Sequence, residues 1–115
     1  SECISDPFYS GAAVLTSKFI TDRPETAKKV VQIIDEATKM ANENFDKYRP
    51  IISKYTALEP DQAEYVAQPR LRGFKDLDAE DVTSYQKFID VFLSEGVLNQ
   101  EMSAQKMMLG KEELA

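Results

Sequence analysis

The sequence predicts a mostly α-helical segment of an α/β protein, with one short strand and four or five helices. Residues 11–16, Gly-Ala-Ala-Val-Leu-Thr, make an apolar run of strand length. Such a run is too short and too apolar to stand alone and is expected to insert into a sheet. From residue 24 onward, apolar residues recur at intervals of three and four, the spacing of one helix face. No second strand is legible in the chain, so the rest of the sheet is expected to come from elsewhere.

The elements follow in order. Asp6-Pro7-Phe8-Tyr9-Ser10 leads into the strand, and Ser17-Lys18-Phe19-Ile20 makes a turn after it. A long helix is predicted over 24–42, because Pro24 at the first helical position presets φ and needs no hydrogen bond. Ala27, Val30, Val31, Ile34, Ala37 and Ala41 build its apolar stripe. Ile33 and Met40 widen the stripe, which predicts cover on more than one side, while Lys28, Lys29, Asp35, Glu36, Lys39 and Glu43 are expected to face water. A second helix over 44–55 carries Phe45, Tyr48, Ile51, Ile52 and Tyr55, with Asn44 as its expected side-chain cap. Pro50 inside it predicts a kink or a late start.

A third helix over 60–67 starts on Pro60, with Asp61 and Glu64 suited to the positive end of its dipole. Residues 68–76 read as irregular, anchored by Leu71 and Phe74. The last long helix, 79–95, is expected to be capped by Asp78 with Asp81 as capping-box partner. Val82, Tyr85, Phe88, Ile89, Phe92 and Leu93 form its buried stripe. Gly96 should end it in a left-handed turn with Val97 folding back. Met102, Met107, Met108 and Leu109 predict one more short helix, with a frayed tail after Gly110.

The order of these motifs resembles the C-terminal part of the periplasmic substrate-binding proteins of ABC importers. The subgroup it is most similar to serves nitrate, taurine, alkanesulfonates and the pyrimidine precursor of thiamine. The resemblance rests on the strand and its Ser17-Lys18-Phe19-Ile20 turn, the Pro24-Glu25 helix start, the second helix after Asn42-Glu43-Asn44, Asp78-Ala79-Glu80-Asp81-Val82 and Glu95-Gly96-Val97-Leu98. Two positions depart from that pattern: Arg23 stands where Asn would cap the first helix, and Phe45 where a second Pro would be. The resemblance implies a type II periplasmic-binding-protein fold, with residues 1–115 forming a single C-terminal segment of a two-lobed protein. It also implies that the chain near Asp6, Tyr9 and Ser10 crosses between lobes, which makes those three the candidate solute contacts. Read from the residues alone, Pro7 and Ser10 simply make a turn entering the strand.

Bulk properties narrow the function classes. A chain of 115 residues is one domain's worth and buries enough surface for a core without disulfides or metal. Its net charge of −6, with no basic stripe, argues against nucleic acid and against anionic membranes. The single cysteine, Cys3, cannot form an internal disulfide and is not expected to serve as a lipid anchor. The first residue is not Met, so an engineered or processed start is expected, which leaves the compartment open.

There is no histidine, which removes Ser-His-Asp and Cys-His mechanisms and imidazole metal sites. Four isolated glycines make no phosphate-cradling loop. No catalytic residue, metal or cofactor is therefore expected. Asp76, Asp78, Glu80 and Asp81 are spaced like a calcium loop but lack its sixth-position glycine, and Lys87 stands where the bidentate Glu belongs; a negative helix start explains them better. Arg70 and Arg72 beside Gly73 could hold an anion through their guanidinium forks, or pair with surface carboxylates. Tyr48, Tyr55, Tyr65 and Tyr85 lie at stripe spacing and are expected to pack with their hydroxyls at the rim.

Two functions are expected from this reading. One is the C-terminal segment of an extracytoplasmic solute-binding protein, which captures a small molecule by lobe closure and delivers it to an ABC permease. The alternative is a free-standing helical protein-interaction module. As a separate fragment, the chain is expected to expose apolar surface once covered by the missing lobe, and so to self-associate.

Overall fold

The computed structural model describes residues 11–69 and 71–114. Its elements are α1 (Ser17–Asp22), α2 (Pro24–Glu43), α3 (Phe45–Tyr55), α4 (Pro60–Ala63), a 3-10 turn at Phe74–Asp76, α5 (Ala79–Ser94), α6 (Ala104–Met107) and a second 3-10 turn at Lys111–Leu114. The described residues contain no β-strand, which corrects the expected α/β fold class to a helical one. Residues 11–16 carry no regular element and pair with no strand among the described residues, and Val14 is 84% exposed. The physical reason is that a strand is held by its neighbours: an apolar run keeps its backbone in water unless another strand supplies donors and acceptors. The turn expected after it is instead the helix α1, started by Thr16, whose hydroxyl accepts from Phe19 N at 3.1 Å.

The chain divides into two compact units whose boundary falls within α2. The first comprises residues up to Lys28 together with Asp76 onward. Its main element is α5, and the predicted capping box is present. Asp78 Oδ1 accepts from Glu80 N at 3.0 Å and from Asp81 N at 3.2 Å, while Asp81 Oδ2 accepts from Asp78 N at 2.8 Å. Asp81 and Ser84 are buried beside Ile89, so the covered face of α5 is more polar than the predicted stripe. Along the helix, Tyr85 stacks on Phe88 with ring centroids 6.2 Å apart, and Phe88 meets Phe92 edge to face at 4.5 Å.

Gly96 closes α5 at φ +75, with Gly96 N donating to Leu93 O and Val97 N donating to Phe92 O, the paired bonds of a Schellman end. The Val97 side chain does not fold back as expected; it is 66% exposed, and the half-buried residue is Leu98. Gln86 ties α6 to α5: its Nε2 donates to Met102 O at 3.0 Å, and its Oε1 accepts from Ala104 N at 2.8 Å. The tail expected to fray forms the second 3-10 turn, with Gly110 N donating to the Glu113 carboxylate at 2.6 Å.

The second unit is Lys29–Lys75. Here α3 begins at Phe45 and runs through Pro50, so the late start is not observed. Asn44 stands at its N-cap without a side-chain cap bond; its Nδ2 turns back to Met40 O at 3.4 Å. The helix predicted over 60–67 stops at Ala63. Its shortening has a visible cause in Arg49, fourteen residues upstream and more. Nη1 of Arg49 donates to Ala63 O at 3.3 Å, to Glu64 O at 3.2 Å and to Val66 O. The Arg49 guanidinium also lies 4.5 Å from the Phe45 ring centroid and donates to Asp46 at 2.7 Å. Carbonyls taken by a guanidinium need no continuing helix to satisfy them. Asp35, expected in water, is half-buried and accepts from Phe74 N at 2.5 Å and Lys75 N at 3.2 Å, which places the first 3-10 turn.

Candidate functional site

The candidate solute contacts Asp6, Tyr9 and Ser10 lie outside the described residues, as does Arg70. Arg72 is half-buried and already engaged in an interaction within the protein. The expected anion pair thus has one member outside the described residues. Asp78 and Asp81, from the calcium-like spacing, spend their carboxylates on the α5 cap.

An open groove of about 410 Å³ runs along α5, lined by Val82, Thr83, Gln86, Lys87, Asp90, Ser103 and Gln105. Its polar side chains are largely committed internally. Gln86 bonds Asp90 at 2.8 Å as well as Met102 and Ala104, and Thr83 Oγ1 donates to Ala79 O at 2.9 Å. The Gln86 bonds to Met102 and Ala104 hold α6 against α5, which is a structural task.

The more informative surface is apolar. Among the described residues, the buried apolar side chains are Ala27, Ala63, Ile89 and Ala104; three of the four are alanine. A self-sufficient domain of this length buries several large aliphatic and aromatic side chains. Here Ile33, Met40, Ile51, Tyr55 and Tyr65 are exposed instead. The expected cover over Ile33 and Met40 is thus absent, and so is the expected packing of Tyr55 and Tyr65; Tyr48 and Tyr85 are half-buried.

On α2 the exposed residues form an ordered face. At about 100° per residue, Ile33, Ala37 and Met40 fall within about 60° of one another. Lys29, Glu36 and Glu43 run along one edge of that face, with Lys39 just beyond, and all four are exposed. A sequence signal for this existed: the apolar arc of α2 is wider than one covered face requires, and its Ile33–Met40 side is bordered by charge. No described helix is long and apolar enough to cross a membrane.

Comparison with family models, with curated proteins and with solved structures finds no match to this chain.

Proposed function

We propose that this chain is the C-terminal segment of the solute-binding component of an ABC importer, acting outside the cytoplasm. In this reading the whole protein closes on a small molecule of the nitrate, sulfonate, taurine or pyrimidine class and hands it to a permease. The observation that carries the reading is the shortage of core. With Ile89 as the one large apolar side chain among those buried, the described residues present faces that belong against further protein. The apolar, unpaired run at residues 11–15 has the same need. The motif order supports the identity of that protein: the Pro24 helix start, the break at Asn44, the start at Pro60, the Asp78 cap and the Gly96 stop all fall at element boundaries.

A second reading, a free-standing helical interaction module, is favoured by one fact: every regular element among the described residues is helical. One experiment separates the two. An antibody raised to this chain is used to follow the native protein through fractionated source cells. The transport reading expects a species roughly two to three times the mass of this chain, as two lobes require, released with the periplasm or held on the outer face of the membrane. A cytoplasmic species of the chain's own mass would overturn it in favour of the module.

A further inference from the structure

We propose that the outer face of α2 is the contact surface of a weak antiparallel homodimer, with Lys29 of each copy set against Glu43 of the other. The surface is Ile33, Ala37 and Met40, all exposed, within the unit Lys29–Lys75. Its border distinguishes it from the apolar surface that further chain would cover. Along one edge Lys29, Glu36, Glu43 and, just beyond, Lys39 give this face the charged border of a contact between separately folded bodies.

The arrangement of that rim selects a second copy as occupant. Two helices packed face to face about a two-fold axis perpendicular to both run antiparallel, and each edge of the face meets the same edge of its copy. Lys29 and Glu43 lie on one edge at opposite ends of the face. Their midpoint is Glu36, and the midpoint of Ile33 and Met40 lies between Glu36 and Ala37. One axis position therefore serves both pairs: Lys29 against Glu43 at each end, Ile33 against Met40 inside them, and Ala37 against Ala37 at the centre, where a small side chain lets the backbones approach. The two Glu36 carboxylates come near each other at the axis. Lys39 of the opposite copy stands about 3–4.5 Å along the helix from each and offsets that repulsion. A parallel two-fold pair would lay this charged edge over the opposite edge of the copy, where Val30 and Ala41 stand, and would leave Lys29 and Glu43 without partners, so the charges favour the antiparallel direction.

The face is one helix wide and about 22 Å long over residues 29–43, below the size of a standard stable interface. The dimer is accordingly weak, with Kd on the order of 10–100 μM. Nothing in this step depends on the transport reading. The test is sedimentation equilibrium of the full chain, with reductant present so that Cys3 cannot join two molecules. The expected result is a monomer–dimer equilibrium in which K29E and E43K each weaken association about tenfold. The double variant K29E/E43K should return to within about twofold of the parent, because the exchanged charges again face each other. Far-ultraviolet circular dichroism identical to the parent shows that each variant is folded. A chain that stays monomeric up to about ten times the expected Kd, or a double variant no better than either single one, overturns the proposal. Such a failure leaves the cell-fractionation result, and with it the transport reading, untouched.

Discussion

Replacing Arg49 with methionine should destabilise the second unit by about 2–3 kcal/mol. The side chain is 23% exposed, and its Nη1 reaches the carbonyls of Ala63, Glu64 and Val66. Hydrogen bonds from a charged donor contribute roughly 1.5–3 kcal/mol each when well formed and dry. Here one nitrogen is shared among three acceptors and the group is partly wet, so the three together are taken as about one strong bond. The loss is deepened where the orphaned carbonyl has no route to water. Ala63 is buried and Val66 half-buried, whereas Glu64 is exposed and rehydrates. Methionine keeps the apolar stem, while the donors to these carbonyls and to Asp46 and the guanidinium contact on Phe45 are lost together. With a urea m-value of about 1.5–2 kcal/mol per molar, the midpoint should fall by about 1–2 M. Urea titration followed by circular dichroism at 222 nm measures this. Hydrogen exchange should place the loss at residues 59–66 while residues 79–94 keep their protection. Arg49→Lys should fall between parent and R49M, since lysine keeps the charge but not the planar fork. An R49M midpoint within about 0.2 M of the parent would refute the argument that this guanidinium holds the α3–α4 corner.

Other substitutions probe the first unit. Gly96→Ala should cost about 1 kcal/mol in urea melts purely from the positive φ, because an added Cβ there meets no atom within 4 Å; Gly11→Ala should be neutral by the same assay. Gln86→Leu removes the donor to Met102 and the acceptor of Ala104, so amides at 104–107 should exchange at least about tenfold faster, while Gln86→Glu, which keeps the acceptor, should protect Ala104 N better than leucine does. Asp78→Ala opens the capping box and should lower stability by about 1 kcal/mol, with Asp78→Asn recovering part of the loss.

What could be read from the sequence is what neighbouring residues decide among themselves. Pro24 starts a helix by its own ring, Asp78 and Asp81 cap α5 within one turn, and Gly96 ends it because only glycine adopts that φ without strain; each boundary was legible. The misses share a different origin. The length of α4 is set by Arg49 on another helix, and the 3-10 turn at Phe74 is set by Asp35, a bond across 39 residues. Pattern within a window carries neither. Residues 11–16 show the same limit from the other side: apolar and β-prone, they lack a partner strand among the described residues, and no local propensity replaces one. Ile33 and Met40 counted toward a covered stripe because periodicity reports which residues share a face, not what lies opposite. As for the site, Arg72 lies in the half-buried shell, and the candidates Asp6, Tyr9, Ser10 and Arg70 fall outside the described residues.

The proposed role as part of a larger solute-binding protein requires that the remainder of that protein cover this chain's apolar surface. The most direct measurement compares hydrogen exchange at Ala12–Leu15 in this chain alone and in the native protein isolated from source cells. In the chain alone these residues make no hydrogen bond among those described, so their amides should exchange at close to the unstructured rate. In the native protein, exchange at least about a hundredfold slower is expected. Equally fast exchange in both would contradict it.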